Sequence, residues 1–222
     1  MFISLFEKEW IKLKWVFAAY LIISFIALLS VLTDLNHAFK IYGAVKYWNS
    51  LITYQTIFFS ILKYIPVIGG LAVALLQFVP ESINKRYRLA FHLPINEQKV
   101  LLTMLAIGGA AILVINLLTI IGHMAIISIF FPSDVVTMST ATIIPWVFAG
   151  LITYLGASTV IIEPNWVQKI VFGTTTFFAM NLLMKEKTFA QYNHILGIYL
   201  ILILLFSVTI LFPGHRLRKG AK

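Results

Sequence analysis

The chain contains no cysteine, which excludes disulfides, thiol catalysis and cysteine-bound metal centres. Charge is nearly as scarce. Only 11% of the 222 residues are charged, against about 25% in a soluble domain, while 60% are hydrophobic and the mean hydropathy is +0.94. Such a chain lacks the polar surface that keeps a fold in water and reads as an all-α integral membrane protein. Its length accommodates one membrane domain and no second soluble one. The motifs GxxxxGK[ST], HExxH and GxSxG are also missing, so there is no P-loop to cradle nucleotide phosphates and no hydrolase signature. His37, His92, His123, His194 and His215 lie on different segments without metal-ligand spacing. No paired carboxylates share a span, and intramembrane acids of the kind that serve proton-coupled transport are absent. The expectation is a chain that is not an enzyme and holds no cofactor or metal of its own.

What is present is positive charge, with 17 Lys and Arg against 8 Asp and Glu, a net +9. Nucleic-acid binding is not expected, because these residues are scattered among apolar runs and form no single patch. They instead mark the cytoplasmic ends of membrane helices. A cleavable signal peptide is not expected either, because the apolar run after Lys14 is too long and lacks a small-x-small site before Asp34.

Residues 1–14 place Phe2, Ile3, Phe6, Trp10 and Leu13 on one arc of a helix, with Ser4, Lys8 and Lys12 opposite, which predicts an amphipathic interfacial helix. Six spans are expected at about 15–33, 64–80, 97–128, 140–162, 166–184 and 195–212. A polar connection covers 34–50, and the apolar aromatic piece 51–62 is either a surface helix or an extension of the second span. Asn96 N-caps the third span, with Glu97 in its first turn. The fifth span is short and carries Thr174, Thr175, Thr176 and Asn181, which predicts that it faces protein. His123 is expected to be a helix-bonded or interfacial histidine rather than a ligand or proton relay, and Glu163, beside Pro164, to be a solvated carboxylate at a span end. Gly70 with Ala74, and Ala106 with Ala110, have the spacing of close helix contacts.

Orientation follows from counting Lys and Arg. With the N-terminus inside, Lys8, Lys12, Lys14, Lys85, Arg86, Arg88, Lys99, Lys169, Arg216, Arg218, Lys219 and Lys222 are cytoplasmic. Lys40, Lys46, Lys63, Lys185 and Lys187 are outside, so the count is twelve against five. Both termini are therefore expected in the cytoplasm, with 213–222 as a basic tail.

The most polar segment, 81–99, lies between two uncharged flanks and reads ESINKRYRLAFHLPINEQK. With FEKEWIKLKW at the N-terminus and six spans in a short chain, it resembles the ABC-2-type transporter permeases. Glu81, Arg86, Arg88, Leu93, Pro94 and Ile95 occupy the acidic, basic and leu-pro-hydrophobic places of that family's second loop. The resemblance implies a permease subunit of an ATP-binding cassette exporter in the inner (plasma) membrane, moving a hydrophobic or amphipathic substrate. It implies a separate ATPase subunit, where ATP and Mg would bind, and a second permease, identical or not. Residues 81–91 would form the coupling helix, with Glu81, Lys85, Arg86, Arg88, His92 and Pro94 in the loop facing the ATPase. Glu7, Lys8, Glu9 and Lys12 of the interfacial helix would face the same partner, and membrane lipid would surround the rest. The loop between the fifth and sixth spans, about 185–194, is shorter than the re-entrant hairpin many family members carry there. The alternative from another class is a non-transporting scaffold or assembly subunit of a larger membrane complex.

Overall fold

Apolar residues spaced by three and four build the first helix around one buried stripe, Leu13, Val16, Tyr20, Ala27, Val31 and Leu35, which Ser24 joins. No proline or glycine occurs between Phe2 and Tyr42. The computed structural model describes residues 2–54, 56–83, 97–186 and 188–218, and there this stretch is a single unbroken helix, α1 (Phe2–Tyr42). The segment expected as a separate interfacial helix is continuous with the first span, because nothing between Lys14 and Trp15 interrupts the backbone ladder. The helix also runs on through the first part of the expected polar connection. It stops at Gly43, whose φ of +74° suits a residue without Cβ and whose N–H donates to the Phe39 carbonyl at 3.1 Å.

The remaining elements are α2 (Ala44–Tyr54), a 3-10 turn (Ser60–Lys63), α3 (Ile65–Ile83), α4 (Glu97–Phe130), α5 (Ser133–Ile162), α6 (Trp166–Leu183), α7 (Leu196–Thr209) and α8 (Leu211–Arg218). The apolar piece 51–62 begins in the last turn of α2 and finishes in the 3-10 turn, which belongs to one apolar segment with α3, Ser60–Ile83. Among the described residues there is no strand. Five helical segments are long and apolar enough to cross a membrane: Leu5–Tyr42, Ser60–Ile83, Gln98–Phe130, Ser133–Ile162 and Leu196–Arg216. The chain is thus all-helical and compatible with a multi-pass membrane protein. α6, expected as a sixth span, is not among the five, because Gln168, Lys169, its threonines and Asn181 dilute its apolar residues.

α5 is the centre of the bundle and packs against α3, α4, α6 and α7, while α1 lies against α3 and α4. The α3–α5 crossing depends on glycine. A methyl group on Gly70 would lie 2.3 Å from the Gly150 carbonyl oxygen, and one on Gly150 would lie 2.5 Å from that of Pro66. Gly70 and Ala74 are both buried, whereas Ala106 and Ala110 are exposed. α6 packs on α5 and buries only Thr176 and Leu183.

Polar and ionic residues gather where α1 begins and α3 and α5 end. Aromatic residues gather at the opposite end. There Phe39 lies 5.3 Å from Phe130 and 5.4 Å from Tyr47 between ring centroids, and Trp48 of α2 stacks on Phe131 at 5.9 Å.

Candidate functional site

The N-terminal turns of α1 turn a polar edge inward. Glu9 is fully buried and Lys12 largely so, one helical turn apart, while Phe6 and Trp10 are exposed and stack on each other. Part of the expected pattern differs: Lys12 lies against protein and Leu13 is buried, while Phe6 and Trp10 face outward. On α3, Gln77 and Glu81 are four residues apart and so share a face, and both are buried.

These two edges meet. Glu81 Oε1 accepts from Lys8 Nζ at 2.9 Å and is also paired with Lys12. Lys12 donates to Glu9 Oε1 at 2.9 Å. Gln77 Nε2 donates to Glu9 Oε2 at 3.1 Å and to the Met104 carbonyl of α4 at 2.8 Å. Its Oε1 accepts from the Tyr154 hydroxyl of α5 at 2.8 Å, and that hydroxyl also lies 3.2 Å from the Leu105 carbonyl. The amide of Gln77 therefore uses both donors and its acceptor. Gly108 makes room for this junction, since a methyl group there would sit 2.2 Å from the Tyr154 oxygen and 2.4 Å from Gln77 Oε1. Among the described residues two buried carboxylates are matched by two lysines. That balance is what permits ionised groups where water is excluded.

A second ion pair stands at the same end. Glu163, in the α5–α6 turn, is fully buried rather than solvated, because Arg216 of α8 donates to its Oε1 at 2.9 Å. Ser82 at the end of α3 donates to the Ile161 carbonyl of α5 at 3.3 Å and joins the two ionic groups. The beginning of α1 and the segment α8 are thus each held by charge to the same end of the bundle.

The expected site residues divide. Glu81, Lys8, Glu9 and Lys12 come together, with Glu9 and Glu81 buried among them. Glu7 is exposed. Lys85, Arg86, Arg88, His92 and Pro94 lie outside the described residues, as does Asn96. Gln77, Tyr154 and the Glu163–Arg216 pair were not expected. Gln77 had a signal, being polar in an apolar run and one turn before Glu81. Tyr154 had none, since an aromatic residue in a span has many uses.

Chemically the cluster is a bolt. Its carboxylates are tied to lysines, and it holds no nucleophile beside a base. Among the described residues no group of three or more His, Cys, Asp and Glu is placed to hold a metal ion. His123 bonds no carbonyl of its helix: both ring nitrogens are buried without a hydrogen-bond partner, and its ring lies 4.7 Å from that of Phe59. Comparison with models of known families, with curated proteins and with solved structures finds no match.

Proposed function

We propose that the chain is the membrane permease subunit of an ATP-driven exporter of the ABC-2 type, acting with a second permease and a separate ATPase. The observation that supports this reading is the bolt itself. It joins the N-terminal turns of α1 to the last turn of α3, from which residues 84–96 continue. A force applied to that segment by a partner would reach α1, α3, α4 and α5 together through Glu81, Lys12, Gln77 and Tyr154. In this reading the bundle crosses the inner (plasma) membrane with the bolted end in the cytoplasm, where most Lys and Arg fall. Two states with different contacts at 84–96 would then drive transport. α6, flanked by Lys169 and Lys185, completes a sixth crossing against α5.

The test is affinity capture of the tagged protein from mild detergent, with mass identification of bound chains and an ATPase assay. A stoichiometric P-loop partner is expected, and Arg86→Glu with Arg88→Glu should uncouple its turnover from transport while the complex still assembles. A complex without an ATPase would overturn the permease reading and leave the scaffold subunit. Unchanged transport in the reversed variants would remove the coupling role of 84–96.

A further inference from the structure

The end of the bundle opposite the ionic cluster carries a buried acid that the proposed function does not use. Glu186 lies in the connection after α6 and is 4% exposed. Its Oε1 accepts from the Gln191 backbone N–H at 3.0 Å, while Oε2 is buried without a hydrogen-bond partner. The turn 188–192 is folded back onto the bundle by three ties. One is that Glu186 bond. The second is the Ala190 N–H, which donates to Thr142 Oγ1 of α5 at 2.8 Å. The third is Phe189, whose ring lies 6.0 Å from Phe59 and 6.4 Å from Phe58.

Ala190 has a φ of +54°, a left-handed conformation that a residue with Cβ adopts only where its surroundings hold it. The turn is therefore sprung, and its ties keep it down. Phe189 forms part of the wall of an apolar cavity of ≈ 180 Å³, opposite Trp48, Leu51, Phe131 and Val135.

We propose that Glu186 is the catch of a pH-sensitive strap. With its carboxyl neutral it holds 188–192 down, with Phe189 closing one wall of the cavity, and with its carboxyl ionised it lets the strap lift and the cavity open. A protonated carboxyl leaves no charge stranded on the unpartnered Oε2. An ionised one does, and it regains hydration only by leaving the site. Among the described residues the groups facing it are Lys63 of the 3-10 turn, the backbone N–H groups of Gln191 and Tyr192, and the Tyr192 and Tyr199 phenols. Burial outweighs Lys63 and both backbone donors and pushes the carboxyl from 4.5 up to about 7. A carboxyl raised in the closed state binds its proton more tightly there. Closure is therefore strongest at low pH, and weakens as pH climbs from the ordinary carboxyl value to about 7. The closed-to-open ratio should fall on the order of a hundredfold across that window.

The absence of cysteine makes the test clean. Leu51→Cys places a thiol on the buried wall, and Val45→Cys places a reference thiol at a site that is 76% exposed. The ratio of their modification rates by a methanethiosulfonate reagent cancels the pH dependence of the thiol itself. The ratio should rise tenfold or more between about pH 5.5 and about pH 8.5. Glu186→Gln should keep it low throughout, and Thr142→Val, which removes the Ala190 tie, should raise it at both values. Val135→Cys reports on the same cavity where Leu51→Cys does not fold. A ratio that stays flat with Glu186 present, or that rises equally in Glu186→Gln, would overturn the proposal. Neither result depends on an ATPase partner.

Discussion

Replacing Lys12 with methionine should be among the most damaging single changes at the ionic cluster, and replacing two residues at once should be milder. Among the described residues Lys12 is the one cation that touches both Glu9 and Glu81, at 0% and 2% exposure. Of the described cations, Lys12→Met leaves those carboxylates only Lys8, which is 44% exposed and reaches Glu81. Removing one partner of a buried pair costs about 3–5 kcal/mol, since the charge left behind is neither hydrated nor matched. Lys12 retains 18% exposure, which puts the expectation toward the lower figure. At about 2–4 °C per kcal/mol for a chain of this size, the melting temperature in detergent should fall by about 6–20 °C. Adding Glu9→Gln to Lys12→Met removes the stranded charge and leaves an amide beside Gln77, while Lys8 still pairs with Glu81. The double variant should recover most of the loss, a strongly non-additive cycle. A single variant that melts within about 2 °C of the parent, or a double variant no better than the single, would refute the reasoning.

Two further changes probe the same junction. Tyr154→Phe strands Gln77 Oε1 and should cost about 1–3 kcal/mol, seen as a fall in melting temperature with helix content unchanged. Gly108→Ala drives a methyl group into the Tyr154 hydroxyl and should cost about as much or more. Gly109→Ala meets nothing nearer than 3.9 Å and should be neutral, or stabilise by up to about 1 kcal/mol through helix propensity. Adjacent glycines with opposite outcomes in one melting series would be hard to explain without this junction.

The helices were legible because apolar spacing, prolines and polar breaks are local signals. The stop of α5 at Ile162, before Glu163-Pro164, is of this kind. The unbroken passage from residue 14 to 15 was not legible. A run of lysines looks like an interface boundary, although it contains no group that stops a helix. The pairing of Lys12 with Glu81 was equally hidden. They lie 69 positions apart, and hydropathy treats each as a charge that must stay in water. What overrides that rule is stoichiometry: a buried charge is tolerated when its counter-charge is buried beside it, and no single position records that. Glu163 follows the same logic, since Arg216 lies 53 positions later. The surroundings of His123 were hidden too, since a lone histidine in a span does not record that its ring lies against Phe59 with neither nitrogen hydrogen-bonded.

The unbroken first helix has a mechanical consequence. Lys12 and Phe39 are 27 residues apart on one rod, about 40 Å at the helical rise. Lys12 is pinned in the ionic cluster, and Phe39 sits among the rings that flank Phe131 and the apolar cavity. If the rod pivots about its pinned end by about 3°, Phe39 sweeps about 2 Å, comparable to the helix shifts that repack protein interfaces. The backbone of one helix carries that displacement from end to end, and the side chains packed along it, Tyr20 against Gly69 and Leu28 against Gly122, must shift with it. The two ends of the molecule are opposite ends of one lever arm.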